Sequence, residues 1–193
     1  MKKNNDDQEF EIVKQIVAGD TSRFKVLADA YKDKSLSLAY SILKNHDEAQ
    51  DVLQDAFIRV FKNLHKFDFK SSFSTWLYRI VVNTCYTALK RNKNNFKNTF
   101  EKNDLNITSN EDSFDLTKSN ERKDFINRVL NTLKPNEALV LRLFYLGEQN
   151  TNEIADITEL SVSNVKVLLH RARTSFHSNI DQILGAEKKH LYE

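Results

Sequence analysis

Apolar residues recur along most of this chain at steps of three and four rather than in alternation, which is the period of a helix buried on one side. Phe10, Val13, Ile16 and Val17 follow it, then Phe24, Leu27 and Tyr31, then Leu38, Ile42 and Leu43. A long helix is predicted from an N-cap at Asp47 to about Leu64, with Ala49, Leu53, Ala56, Phe57, Val60 and Leu64 as its buried stripe. Asp51, Gln54, Asp55, Ile58 and Lys62 point away from that stripe. A loop, His65–Ser72, precedes a helix that starts near Ser74 or Thr75 and runs to about Arg91. Its stripe is Leu77, Ile80, Val81, Thr84 and Ala88, its far side carries Arg79, Val82, Asn83, Tyr86 and Lys90, and Trp76 and Tyr78 lie at the margins. The period then stops in an Asn-rich polar stretch and resumes near Asp124.

The second periodic block is punctuated more sharply. Leu133-Lys-Pro135-Asn-Glu137 predicts a helix with Pro135 at its first position, where a missing N–H costs nothing. Leu139, Leu143 and Leu146 are its inward stripe, and Gly147 is its expected C-cap. Glu153–Thr158 reads as a short helix, and Ser161 as the N-cap of the next. In that last helix Val162, Val165, Leu169, Ala172 and Phe176 share one side. Ser163, Val167, His170, Arg171 and Thr174 lie opposite, flanked by Asn164 and Lys166. Two short helices, a tight turn and a polar, cationic outer face make a helix-turn-helix DNA reader. The fold class is therefore all-α: two small helical domains, 8–91 and 124–186, joined by a flexible polar linker over 92–123, the C-terminal domain a helix-turn-helix.

Composition agrees. Three Gly and one Pro in 193 residues suit helices with short connections. No run of about 18 apolar residues offers a membrane span, and the N-terminus leads into no apolar signal core, so a cytoplasmic protein without membrane insertion is expected. The lone Cys85 cannot pair internally, and no Cys/His spacing suits a metal. The net charge of +2 conceals a separation. Residues 45–58 hold four acids and no Lys or Arg, whereas Arg59–Lys97 holds nine bases and one acid, Asp68. An acidic surface beside a basic one suits a protein partner on one side and a polyanion on the other.

Three constellations carry candidate chemistry. Ile58 among Asp51, Gln54 and Asp55 suggests a protein-binding face, though a solvated helix with one exposed Ile has the same pattern. Trp76, Tyr78 and Tyr86 interleaved with Arg79, Asn83 and Lys90 suit single-stranded DNA, since rings stack on unpaired bases and cations hold phosphates. The same aromatics equally suit a core with polar tips at the surface. The reader helix offers hydroxyls, a methyl, His and Arg to base edges. No Gly-rich phosphate loop, nucleophile motif or metal cluster accompanies the carboxylates, the histidines are scattered, and no catalysis or cofactor is expected. A dimeric repressor and a scaffold that binds no nucleic acid are the rival readings. The first lacks a dimerisation coiled coil, and the second would be excluded by salt-sensitive, sequence-selective duplex binding.

Taken together the motifs resemble a bacterial sigma factor of the extracytoplasmic-function (ECF) group. Asp47-Glu-Ala-Gln-Asp51-Val-Leu-Gln54-Asp55-Ala-Phe57 resembles the family's core-polymerase-binding helix, and Phe73-Ser-Thr-Trp76-Leu-Tyr-Arg79-Ile-Val-Val-Asn83 its promoter-melting helix. Leu133-Lys-Pro135-Asn-Glu137, Glu153-Ile-Ala155 and Val165-Lys166 through His170-Arg171-Ala172-Arg173 resemble its upstream-element reader. The resemblance implies that Asp51, Gln54, Asp55 and Ile58 dock on the clamp helices of the largest polymerase subunit. It implies that Phe67, Ser71, Ser72, Trp76, Arg79, Asn83, Tyr86 and Lys90 hold the unpaired −10 strand, with Phe67, Ser71, Ser72 and Asn83 around one extruded base. Lys166, Val167, His170 and Arg171 would read the −35 element of promoter DNA while Ser163, Asn164 and Arg173 hold phosphates. An anti-sigma factor, often membrane-anchored, is implied as a further partner. The chain departs from the family at Glu159, where the reader's turn usually has Gly or a small residue, and at Leu168, commonly basic.

Overall fold

The computed structural model describes the backbone of residues 2–99 and 121–190, and the side chains of 7–91 and 125–183. Among these, eight α-helices and no strands are present: α1 Lys2–Val17, α2 Phe24–Leu43, α3 His46–Asn63, α4 Phe73–Thr99, α5 Glu121–Asn131, α6 Pro135–Tyr145, α7 Thr151–Thr158 and α8 Val162–His190. Short 3₁₀ turns precede α2 and follow α3. Both ends of the expected linker are helical, because α4 continues to Thr99 and α5 begins at Glu121. The rest of that linker lies outside the described residues.

Polar caps set most boundaries. The α3 cap is Asn45 rather than Asp47: its side chain accepts from the Glu48 N–H at 3.0 Å, which leaves Asp47 and Glu48 in the first turn, where the helix dipole favours them. The α4 cap is Ser72, whose Oγ accepts from the Thr75 N–H at 3.2 Å, so the helix starts at Phe73, just before the expected Ser74 or Thr75. A full capping box opens α7: Asn150 accepts from the Asn152 and Glu153 N–H groups while Glu153 accepts from the Asn150 N–H. Pro135 stands at the first turn of α6 and Ser161 caps α8, both as the sequence predicts.

Helices α2, α3 and α4 pack on one another through Leu27, Leu38, Ala56, Val60, Leu77 and Val81, all nearly or wholly buried. An aromatic cluster closes one end. Phe67 lies 4.8 Å from Phe69, 5.4 Å from Trp76 and 6.0 Å from Phe73 between ring centroids, and Tyr31 lies 5.6 Å from Phe73. Tilted and edge contacts at this spacing add to area burial. The rear helices α6, α7 and α8 pack together around Leu139, Leu143, Ile154, Ile157, Val165 and Leu169.

The two sets of helices do not stand apart. α6 packs on α2 and α7 on α4, so one continuous core links front and rear. α6 is buried at every position from Glu137 to Leu143, on all sides of the helix, because α8 covers one side and α2 another. The same packing buries Tyr78 and Val82 of α4, each 1% exposed, where the sequence pattern put them at the margin and on the outer side. Leu146, expected inward, is 41% exposed, because α6 ends at Tyr145 and the chain turns away. Gly147 is not the cap residue, which is Leu146. It is small because a Cβ there would meet the Leu143 carbonyl oxygen at 2.8 Å and the Tyr78 ring at 3.2 Å. Leu77→Ala, at a fully buried site in α4, is expected to destabilise the fold by about 2–5 kcal/mol, read as a lower urea midpoint with unchanged slope.

Candidate nucleic-acid and polymerase interface

The outer face of α3 is as the sequence predicts. Asp51, Gln54, Asp55 and Ile58 are exposed, Ile58 at 44%, because Ala49, Val52, Ala56 and Val60 turn the opposite side into the core. Beside Ile58 stands Phe61, 42% exposed, whose ring contacts Phe24 at 5.0 Å. Sequence periodicity missed Phe61, which lies between the buried stripe and the acidic side. The surface thus combines two carboxylates and an amide with an apolar pair, the mixture found at specific protein interfaces.

Around α4 the expected set divides. Arg79, Asn83 and Lys90 are exposed along one side, with Arg91 beside them. Ser71, Ser72, Trp76 and Tyr86 are half-buried. Phe67 is 5% exposed and belongs to the aromatic core, so the structure does not bring it to the surface with Ser71, Ser72 and Asn83. Its neighbour Phe69 takes the outer position at 39% exposure, edge-on to Phe10 at 5.3 Å. Phe69 has φ of 60°, a left-handed conformation that a bulky residue adopts only when its surroundings impose it. The Asp68–Lys70 turn helps impose it. Lys70 donates its N–H to Asp68 Oδ1 at 3.2 Å and its ammonium pairs with Asp68 Oδ2 at 2.9 Å. The signal in Phe67-Asp-Phe-Lys-Ser-Ser-Phe73 was the excess of rings: Phe67 and Phe73 fill the core, leaving Phe69 outside.

The hydroxyls at the start of α4 are already engaged. Ser72 Oγ lies 2.9 Å from Ser74 Oγ and 2.8 Å from Thr75 Oγ1. Thr75 Oγ1 donates to Gln149 Oε1 at 2.7 Å, and Gln149 Nε2 donates to Ser74 Oγ at 3.1 Å and to the Gly147 carbonyl at 2.7 Å. Gln149 is 1% exposed and its role was not visible in the sequence, where it is one polar residue in a loop. Tyr86 Oη donates to Asn136 Oδ1 at 3.2 Å, which also ties α4 to the start of α6. A groove of about 450 Å³ opens between Phe69, Lys70, Ser71, Ser72 and Thr75 on one side and Glu153 and Asp156 on another.

The reader matches its expected geometry closely. Val165, Leu169 and Ala172 are buried, and Ser163, Asn164, Lys166, Val167, His170 and Arg171 are all exposed, Val167 at 48%. Glu159 ends α7 with φ of 59°, the left-handed turn for which Gly is the low-cost residue, so the departure at this position keeps the turn and carries the strain. Leu168 is half-buried, partly covered by the core rather than offered to a phosphate. Arg173 is exposed but held: its Nε donates to Tyr145 Oη at 3.1 Å, and its guanidinium lies 5.2 Å from the Phe144 ring centroid.

No group of His, Cys, Asp and Glu suited to a metal, and no helix long and apolar enough to cross a membrane, occurs among the described residues. Cys85 is 0% exposed, and burial pushes its thiol up to about 12, far from a nucleophile.

A helical front set with an acidic face and a basic face is followed by a helix-turn-helix, the architecture of a class of DNA-binding proteins. Residues 27–95 match the sigma-70 region 2 family and residues 126–175 the sigma-70 region 4 family. The chain is 32% identical to the ECF RNA polymerase sigma factor SigW of Bacillus subtilis, over 87% of this chain and 94% of that protein. It is 28% identical to the ECF RNA polymerase sigma-E factor of Escherichia coli K12, over 90% of this chain and 94% of that protein. Its fold is similar to that of the sigma factor RpoE from Bartonella quintana, solved with the anti-sigma factor NepR, at a TM-score of 0.64 and 19% identity, covering 82% of this chain and 96% of that one. The chain belongs to the ECF sigma factors, and its function is to direct RNA polymerase in promoter recognition and strand opening at transcription initiation.

In the native protein, Cys85 is expected to react with an aromatic disulfide reagent more than about 100-fold more slowly than in urea. Fast native labelling would contradict its burial.

Proposed function

We propose that this sigma factor divides its work between a front module, residues 8–91, and a rear module, residues 124–186. In this reading the front module docks on polymerase core through Asp51, Gln54, Asp55 and Ile58, joined by Phe61, on the clamp helices of the largest subunit. It holds the unpaired −10 strand with Ser71, Ser72, Trp76, Asn83 and Tyr86, while Arg79, Lys90 and Arg91 take phosphates. Phe69 replaces Phe67 as the ring offered to a base, and Phe67 supports it from the core. Extruding a base costs a few kcal/mol, which stacking and charge-assisted phosphate contacts can offset.

The rear module reads the −35 element with Lys166, Val167, His170 and Arg171, Val167 against a thymine methyl. Ser163 and Asn164, at the start of α8, hold phosphates near a helix N-terminus. Arg173 is tethered to Tyr145, which orients it for a backbone contact. An anti-sigma factor is a further proposed partner, as in the RpoE–NepR complex. In this reading the chain has no catalysis of its own. It works in the cytoplasm, either free or held at a membrane by such a partner.

The observation that carries the reading is the exposed polar row of α8 standing opposite a fully buried Val165, Leu169 and Ala172. The test is run-off transcription with purified polymerase core and genomic promoter fragments. Initiation that depends on the added chain supports the reading, and none at any fragment ends it. Asp51→Arg with Asp55→Arg is expected to abolish co-purification with core while leaving the circular dichroism spectrum unchanged, and retained binding would remove the acidic face from the docking surface. Arg171→Ala is expected to cost about 1–3 kcal/mol of duplex affinity and to relax preference at one −35 position. A uniform loss across sequences would make it a phosphate contact instead.

A further inference from the structure

Phe69 is unfavourable for folding in two ways at once. Its φ of 60° lies in the left-handed region, which a residue with a ring enters at a cost that glycine avoids. It is also 39% exposed, although its ring touches Phe67 at 4.8 Å and meets Phe10 edge-on at 5.3 Å. The other left-handed non-glycine residues described, Lys44, Glu148 and Glu159, have polar side chains, and Lys44 and Glu159 close α2 and α7. Phe69 closes no helix. A turn alone gains nothing from an outward ring in a strained conformation, whereas a ligand contact does.

The two residues flanking Phe69 fasten its backbone. Lys70 donates its N–H to Asp68 Oδ1 at 3.2 Å and pairs its ammonium with Asp68 Oδ2 at 2.9 Å. The Lys70 ammonium, and after it the Lys70 N–H, hold the Asp68 carboxyl below its ordinary range. The side chains are 84% and 55% exposed, and an ion pair in that setting adds little to the stability of a fold, so its consequence is local. Asp68 is also the one acid between Arg59 and Lys97, among nine bases. On a surface that attracts phosphates, a carboxylate is unfavourable by charge alone. What it holds in place accounts for its presence there.

We propose that Asp68 is a positioning residue for strand opening: by accepting the Lys70 N–H it holds Phe69 in the left-handed turn that keeps its ring toward the unpaired strand, and it does so against the effect of its own charge. The inference rests on the proposed strand site and deepens it. Phe69 meets the base, Phe67 and Phe10 support the ring from behind and from the edge, and Asp68 acts only through the backbone. The direction of the Cα–Cβ bond follows from φ, so a turn that relaxes aims the ring elsewhere.

The test uses the full chain with polymerase core on a promoter fragment that the parent transcribes. Permanganate reactivity of thymines reads strand opening, and the urea midpoint reads stability. Phe69→Gly should lower opening about tenfold through the lost stacking. Asp68→Ala should lower it about fivefold or more, the population that an unsupported non-glycine residue loses in the left-handed region, with the urea midpoint unchanged and duplex binding not reduced. Charge alone predicts the reverse, because losing a carboxylate favours a polyanion. Asp68→Asn keeps an acceptor for the Lys70 N–H and should open within about twofold of the parent. In the Phe69→Gly background Asp68→Ala should cause no further loss, since glycine takes the turn unaided and no ring remains to be placed. The proposal is overturned if Asp68→Ala opens as well as the parent or better, or if Asp68→Asn loses as much as Asp68→Ala. It is also overturned if the Asp68→Ala loss persists in the Phe69→Gly background, or comes with a lower urea midpoint and weaker duplex binding. Normal opening by Phe69→Gly removes the ring from the strand site and this inference with it. Failure of the parent to initiate on any fragment is a different result, which ends the proposed division of residues as a whole.

Discussion

Burial of α6 on every side is the constraint from which the rest of the architecture follows. A helix of eleven residues with Ala138-Leu-Val-Leu-Arg-Leu143 at its centre cannot satisfy itself against α8 alone, because one partner covers only one stripe. α2 supplies the second cover, and that contact draws the whole rear set onto the front set. At the turn after α6, a Cβ on Gly147 would meet the Leu143 carbonyl oxygen of α6 itself at 2.8 Å and the Tyr78 ring of the core at 3.2 Å. The burial of Tyr78 and Val82 also follows, since α7 lands where α4 would otherwise face water.

The same constraint sets how the surfaces are shared. α3 keeps its acidic face exposed among the described residues, and the outer side of α8 is exposed because its buried stripe points to α6 and α7. Only α4 is contested. Its cationic side, Arg79, Asn83 and Lys90, remains exposed, whereas its N-terminal hydroxyls and Tyr86 are held by the rear helices. The proposed protein-docking and duplex-reading faces thus lie away from this seam between front and rear helices, whereas the proposed strand site borders it.

Of four left-handed non-glycine residues among the described ones, Lys44, Phe69, Glu148 and Glu159, two lie in turns beside these surfaces. Phe69 and Glu159 both take left-handed conformations that glycine would adopt at less cost. At Glu159 the turn is required for α8 to sit at its angle to α7. At Phe69 it is required for Phe67 to reach the core while the next ring is presented outside. Both cases show tertiary packing overruling local preference at a site close to proposed DNA contacts.

Much of this was legible in the sequence. The helical periods give the all-α class, the acidic face of α3, and the reader helix residue by residue, because burial confined to one side of a helix leaves a clean stripe. The caps were partly legible: Ser161 and Pro135 stand where their chemistry predicts, whereas Asn45, Ser72 and Asn150 were hidden among other residues able to cap. What the sequence could not specify is which polar residue crosses a distance of more than seventy positions to bond another. Gln149 with Ser74 and Thr75 and Arg142 with Ser37 are such pairs, and Tyr86 with Asn136 spans fifty positions. Periodicity reports that a residue is buried against something. It does not report against what, and so only the assembled structure decided that Phe67 lies inside, that Phe69 lies outside, and that the two halves of the chain share one core.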